Sequence, residues 1–201
     1  AGGAVLPNSP SASLQGRSGR AARVACGVQK KWPTLKAAGY TIVVIDQHTQ
    51  VVKTKQTRGW FPVNSRPRLG VSGGRTSLNL LGAVTDTGDR FITTVTGRLT
   101  GEVSKHFVRA LQHEFGEKLA VVLDNAPYFI ERSFRKQADD DGLLLEYLPP
   151  YSPELNPLEL CWRQLQAKRA NRLFRSFDEL TAYLHEILPS LVSPRIYEYL
   201  C

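Results

Sequence analysis

Two continuous apolar segments, each ending in an aspartate, constrain the fold of this 201-residue chain more than any other feature. The first is Tyr40–Asp46 and the second is Lys118–Asp124. Both are rich in β-branched residues and show no polar alternation, which is typical of strands buried on both faces of a sheet. A helical pattern over Thr100–Gly116 precedes the second segment, and alternation of helix and strand indicates parallel pairing. We therefore expect an α/β fold in which Asp46 and Asp124 end two central strands.

Further patterns extend the predicted sheet. Ser77–Thr85 and Arg90–Thr96 are strand-like, and the turn Asp86-Thr87-Gly88-Asp89 between them is a hairpin signature. Leu143–Leu148 predicts a third buried strand. Two helices are predicted after it, one from Pro157 and one from a capping box that opens at Ser176.

A proline-rich segment leads into the first of these two helices. Pro149, Pro150 and Pro153 fix φ and remove backbone donors, so this segment is predicted to be stiff and extended. It ends in Asn156-Pro157, a favourable helix start, because Asn caps well and Pro suits the first helical position. Glu159 then falls in the first helical turn, where it could simply be the return half of a capping box with Asn156. Each aspartate, taken alone, could likewise only cap a turn.

The charge balance indicates a polyanionic partner. The chain has 26 Lys and Arg against 18 Asp and Glu, a net charge of +8 and a pI near 9.6. Nucleic acid is the commonest partner for such a surplus, although a merely basic globular protein is the alternative. Basic residues gather in an acid-free stretch, Gln47–Thr76, and on the helix after Pro157. The predicted DNA-binding residues are Lys53, Lys55, Arg58, Arg163, Lys168, Arg169 and Arg172.

The cysteines, the hydropathy and the first residues limit the remaining possibilities. Cys26, Cys161 and Cys201 are odd in number, far apart and without metal-ligand spacing, which indicates a reducing cytosol. No apolar run approaches the ~18 residues of a membrane span, so no membrane partner is expected. Residues 1–27 are rich in Ala, Gly, Ser and Arg and are predicted to be a disordered or non-native basic tail. Residues 28–201 are predicted to form one domain that includes the C-terminal helices.

The three acids offer a specific chemistry if they meet. Neighbouring parallel strands lie about 4.8 Å apart, so Asp46 and Asp124 could share a metal ion at the carboxyl edge of the sheet. A helix start over that edge would add Glu159. Oxygen ligands of this kind suit Mg²⁺ or Mn²⁺. Two such ions about 3.5–4 Å apart can activate a nucleophile and stabilise the leaving 3′ oxygen of a phosphodiester. Asp46, Asp124 and Glu159 are therefore the predicted catalytic and metal-binding residues.

Three of these stretches together resemble the DDE transposases of the mariner-like superfamily, most closely the prokaryotic insertion-sequence branch. They are Ile45-Asp46, Val122–Pro127 and Leu148–Glu159, and the 34 residues between Asp124 and Glu159 match the family's spacing. The resemblance implies a ribonuclease H-like fold with a five-stranded mixed sheet flanked by helices. It also implies cleavage at transposon ends with two Mg²⁺ or Mn²⁺ ions, and transfer of the 3′ end into target DNA.

The sequence departs from the family's pattern in three places. Gln47-His48 follows the first aspartate where relatives often have Glu, and Phe129 stands where a His is common. Residues 1–31 are too few for the helix-turn-helix region that reads transposon ends, so we expect a truncated transposase or a catalytic domain alone. The alternatives are an inactive DNA-binding remnant and another ribonuclease H-like nuclease. A homodimer in a synaptic complex and a cytoplasmic, nucleoid-associated location are further expectations.

Overall fold

The computed structural model describes residues 30–60, 62–66 and 68–199, so the tail predicted over residues 1–27 lies outside the described part. Within it, five strands form one sheet: β1 (Thr41–Val51), β2 (Ser77–Thr85), β3 (Arg90–Val95), β4 (Leu119–Leu123) and β5 (Leu144–Tyr147). The helices of the described residues are α1 (residues 30–37), α2 (Gly101–Phe115), α3 (Pro127–Ile130), α4 (Arg132–Asp140), α5 (Leu158–Arg169) and α6 (Phe177–Ile187). Short 3₁₀ turns cover Pro153–Leu155, Leu188–Ser190 and Ile196–Glu198.

The sheet is mixed, as the resemblance implies. Its strand order is β3-β2-β1-β4-β5. β1 pairs with β4 in parallel and β4 with β5 in parallel, whereas β1–β2 and β2–β3 are antiparallel. The predicted hairpin between β2 and β3 is confirmed, and Gly88 takes a φ of 95° in its turn, a conformation that glycine adopts without strain.

Two helical layers cover the sheet, which explains why its central strands lack polar alternation. On β1, Ile42 and Val44 face a core shared with α1, α5 and α6, while Val43 and Ile45 face a core shared with α2, α3 and α4. All four side chains are fully buried. The third predicted strand differs, because β5 lies at the edge of the sheet and is only half-buried, with Leu144 39% exposed.

The first strand is longer than the apolar pattern predicts. Asp46 does not end β1, which continues to Val51 because β2 pairs with it as far as Val51–Ser77. The parallel pairing with β4, however, stops at Val44–Val122. Asp46 and Asp124 each stand two residues beyond this last pair, so both still lie at the carboxyl edge of the parallel strands.

The C-terminal part is joined to the sheet by specific polar contacts. The amide of Glu179 donates to Oγ of Ser176 (3.1 Å), which confirms the predicted cap of α6. The Glu179 carboxylate accepts from the Arg175 amide (2.8 Å) instead of the Ser176 amide. Arg90 on β3 donates to the carbonyl of Pro189 (3.1 Å) and so holds the chain after α6. Among the described residues, none of the helices has the length and apolar character that crossing a membrane requires.

Candidate active site

Asp46 lies beneath α5, on the same face of β1 as Ile42 and Val44, because alternate residues of a strand share a face. Only 8% of its surface is exposed. Its Oδ2 accepts a 2.7 Å hydrogen bond from Nε1 of Trp162, which is itself buried in α5. One carboxylate oxygen of Asp46 is therefore held by the protein.

Asp124 directly follows β4 and is half-buried. Its Oδ1 accepts a 3.0 Å hydrogen bond from the amide of Ala126, so this side chain does cap the turn that leaves the strand. The neighbouring Asn125 donates from its side chain to the carbonyl of Leu148 (2.7 Å). This bond ties the Asp124 turn to the start of the proline-rich segment that delivers Glu159.

Glu159 occupies the first turn of α5, where the Asn156-Pro157 start places it. Oδ1 of Asn156 accepts from the Leu158 amide at 3.1 Å, which confirms its capping role. The amide of Asn156 donates to the carbonyl of Pro153 (3.0 Å), so Glu159 does not form the return bond of a capping box. Glu159 is half-buried, with its side chain in the wall of a surface cavity.

Asp124 and Glu159 are close enough to Asp46 to influence it electrostatically. Burial raises the pKa of the Asp46 carboxyl to about 7, and the negative charges of Asp124 and Glu159 add to this rise. Hydrogen bonds from Trp162 and the Gln47 amide oppose it. Among the described residues, no three His, Cys, Asp or Glu side chains gather into a metal-binding group. Asp46 and Asp124 each direct one oxygen to a protein donor instead.

The chemistry of this donor set fits a divalent cation. Carboxylate oxygens are the ligands that Mg²⁺ and Mn²⁺ prefer. In the described part of the chain, no salt bridge neutralises Asp46, Asp124 or Glu159. Burial makes the ionised form of Asp46 costly, the charges of Asp124 and Glu159 add to that cost, and a bound cation would offset it.

A cavity of about 320 Å³ adjoins Glu159 and is flanked by cations. Glu159, Trp162 and His48 line it together with Lys55 and Arg163. Burial, the largest cause, and the positive charges of Lys55 and Arg169 together lower the pKa of His48 to about 4. His48 is therefore neutral at pH 7 and adds an uncharged aromatic wall. Of the other predicted DNA-binding residues, those with exposed side chains are Lys53, Arg58, Lys168 and Arg172.

Arg169 does not belong to this exposed set, and its burial corrects the expectation that its side chain is open to DNA. Only 4% of its surface is exposed. Its guanidinium donates to the side chain of Gln50 and to the carbonyls of Val51 (2.7 Å) and Lys53 (2.9 Å), and it lies over the ring of Phe174. The reason is helical periodicity, because position 169 is one turn beyond Leu165 on the buried stripe of α5. Arg169 fastens α5 to the end of β1.

Three residues beside the acids carry no sequence signal for a site: Trp162, Gly82 and Tyr128. Gly82 pairs with Asp46 across β1 and β2. The Tyr128 hydroxyl is buried with no hydrogen-bond partner among the described residues, and burial together with the charges of Asp124 and Asp46 raises its pKa. The helical spacing of Trp162 predicts burial, but only the docking of α5 shows that its N–H meets an acid.

The fold is that of a ribonuclease H-like domain, with Asp46 and Asp124 at the carboxyl edge of the parallel strands and Glu159 on the helix above Asp46. The fold matches that of a pre-cleavage Mos1 transpososome with a TM-score of 0.69 at 15% identity, covering 100% of this chain and 62% of the Mos1 chain. It also matches the isolated catalytic domain of Mos1 mariner transposase with a TM-score of 0.64 at 15% identity, covering 98% and 91% of the two chains.

The chain belongs to the family described as DDE superfamily endonuclease, whose profile matches residues 41–181. This match includes Asp46, Asp124 and Glu159, and it confirms the resemblance to DDE enzymes. A curated relative, the uncharacterized protein y4pE/y4sA of Sinorhizobium fredii (strain NBRC 101917 / NGR234), is 30% identical over 69 residues. That alignment covers 34% of this chain and 49% of the relative, so it spans about half of the relative's length.

Proposed function

We propose that this chain is the catalytic part of a DNA transposase. In this proposal it cleaves phosphodiester bonds at transposon ends and transfers the freed 3′ end to target DNA. The observation that carries the proposal is geometric: Asp46 and Asp124 lie just beyond the last parallel pair of β1 and β4, and the helix that bonds to Asp46 carries Glu159 in its first turn, in a chain of an endonuclease family. Solved structures with the same fold include a Mos1 transposase paired-end complex with left transposon end and the Mos1 strand transfer complex.

Asp46, Asp124 and Glu159 would hold Mg²⁺ or Mn²⁺, two ions in our proposal. When bound, such ions supply activation of an attacking oxygen and charge stabilisation at the leaving 3′ oxygen. Mos1 paired-end complexes have been solved with Mn and with Mg. The residues of this chain provide the rest: α5 fixes Glu159 on a rigid helix start, and the hydrogen bonds to Asp46 and Asp124 restrict how their carboxylates can turn.

The exposed cations give this site a surface for the DNA backbone. Lys55 and Arg163 flank the cavity beside Glu159, so a phosphate near the acids would meet positive charge. Lys53, Arg58, Lys168 and Arg172 extend this basic surface. Arg172 stacks its guanidinium 4.6 Å from the centre of the Tyr183 ring, which restricts its orientation. Contacts of this kind position DNA without reading its sequence.

The partners of the proposed enzyme are transposon-end DNA and target DNA. Pairing of two ends requires two active sites, and we propose a homodimer within a synaptic complex. A cytoplasmic location in association with the nucleoid follows from this substrate.

Nicking of supercoiled plasmid DNA tests the proposal. The unaltered chain is expected to nick DNA in Mg²⁺ or Mn²⁺ and to be inactive in EDTA. Glu159→Gln keeps the size of the side chain and removes its charge, and we expect it to lose more than the ~100-fold that loss of an outer-shell partner costs. Glu154→Gln is the matched control, because Glu154 is exposed and lies in the same proline-rich segment.

Three results would contradict the proposal. Full nicking activity in Glu159→Gln would remove Glu159 from the reaction. Metal-dependent cleavage of RNA in RNA–DNA hybrids, without nicking of DNA, would instead favour another ribonuclease H-like nuclease. A folded chain that binds DNA but never cleaves it would favour the inactive remnant.

A further inference from the structure

We propose that Trp162 is a positioning residue that fixes the Asp46 carboxylate for metal binding, an inference that rests on the proposed function. Its Nε1 donates a buried 2.7 Å hydrogen bond to Oδ2 of Asp46. With Oδ2 engaged, the orientation of Oδ1 is set as well, because the two oxygens share one plane. Outer partners of this kind hold metal ligands in place and set their affinity.

The fold leaves room for this indole at one position of β2. Gly82 pairs with Asp46, and a Cβ there would lie 2.8 Å from Cη2 and 3.0 Å from Cζ2 of Trp162. Any larger residue would therefore push the outer ring of the indole away from the strand. The close approach of Trp162 to Asp46 is thus built into β2 as well as into α5.

A second contact holds the indole plane. The ring of His48 stacks on Trp162 with centroids 5.1 Å apart and an interplanar angle of 10°. The side-chain amide of Gln166 in turn donates to Nε2 of His48 at 2.8 Å. Asp46 and His48 are alternate residues of β1 and share a face, and Trp162 and Gln166 are one turn apart on α5. Trp162 therefore contacts Asp46 while Gln166 contacts His48.

The same helix carries Glu159, three residues before Trp162. Residues one turn apart on a helix keep a fixed relative position, so α5 both places Glu159 and orients the Asp46 carboxylate. We infer that α5 sets the relative placement of Glu159 and Asp46 through Trp162. An apolar side chain at 162 could fill the core but could not orient the carboxylate.

Binding of Mn²⁺ to the full chain, followed by the electron paramagnetic resonance signal of the free ion, tests this role without measuring cleavage. Replacing Trp162 by β-(3-benzothienyl)alanine exchanges the indole N–H for sulfur and keeps the ring shape, and Trp162→Phe removes the N–H along with the outer ring. We expect the dissociation constant for Mn²⁺ to rise ~10–100-fold in both. Trp32→Phe is the matched control, because Trp32 is a buried tryptophan of the same core and packs edge-on against Tyr197.

The outcomes separate the two proposals. Weakened Mn²⁺ binding in both Trp162 variants, with Trp32→Phe unchanged, supports the positioning role. Unchanged or tighter binding in the benzothienyl variant overturns it, even if Trp162→Phe does not fold. Equal weakening in Trp32→Phe would also overturn it, since general loosening of the core would then be the cause. If the unaltered chain binds no Mn²⁺, the proposed function fails together with this inference.

Discussion

Gly82→Ala measures how tightly α5 packs over β2 beside the acids. The added methyl group would lie 2.8 Å and 3.0 Å from two carbons of the Trp162 ring and 3.2 Å from Cδ2 of Leu158. Contacts this short cannot persist, so one of the neighbours has to move. Both are buried, Trp162 at 1% and Leu158 at 0% exposure, so a shift of either disturbs the packing of the core.

The expected magnitude is the balance of two effects. Overpacking of a well-filled core costs ~1–3 kcal/mol. Replacing a glycine within a strand by alanine raises the free energy of unfolding by ~0.5–1 kcal/mol, because alanine loses less backbone entropy on folding. We expect a net loss of about 1.5 kcal/mol in the free energy of unfolding, which lowers the Tm of a chain of this length by roughly 3–6 °C.

A double-mutant cycle in urea identifies the cause. The short contacts involve the outer ring of the indole, which Phe lacks, so Gly82→Ala should cost less in the Trp162→Phe background, with a coupling energy of about 1 kcal/mol. Gly73→Ala is the control, because a Cβ there meets nothing within 4 Å. Additive effects of Gly82→Ala and Trp162→Phe, or a Gly82→Ala variant as stable as the unaltered chain, would refute the packing argument.

Two further predictions concern charge. Arg169→Ala should lower the free energy of unfolding by about 3 kcal/mol, because it leaves the acceptors on Gln50, Val51 and Lys53 without their hydrogen-bond donor. Lys168→Ala should leave stability unchanged and reduce the salt dependence of DNA binding by about one counterion. The reverse pattern would show that Arg169 faces DNA. In the absence of divalent metal, the pKa of Asp46 is about 7 in the folded chain and 3.8 ordinarily. Between these two pH values the folded chain keeps a proton on Asp46 that the unfolded chain has lost. The free energy of unfolding therefore falls as pH rises from about 4 through 7. Asn at position 46 cannot ionise, so Asp46→Asn escapes this loss. Between low pH and pH 8, the stability of Asp46→Asn relative to the unaltered chain should therefore rise by on the order of 4 kcal/mol. Thermal melts in EDTA check this, with exposed Asp140→Asn as control, and parallel pH curves for the unaltered chain and Asp46→Asn would contradict it.

Local signals in the sequence were sufficient to predict the strands and the positions of Asp46, Asp124 and Glu159 relative to the strands and the helix start. The β-branched runs before Asp46 and Asp124 predict buried strands, because an alternating pattern would expose half of each strand to water. The position of Glu159 follows from Asn156-Pro157, since a capping residue and a fixed φ determine where a helix begins. These features depend on neighbours within a few residues, and the structure retains them.

Only the tertiary structure decided which side chains meet across elements. β1 extends to Val51 through residues with little apolar character, because β2 supplies the hydrogen bonds that local propensity does not predict. A helical period shows that positions 162 and 169 of α5 share a buried face, yet it cannot show that one meets Asp46 and the other meets Gln50. That pairing depends on how the helix docks along the strand, and docking is set by the packing of the whole core.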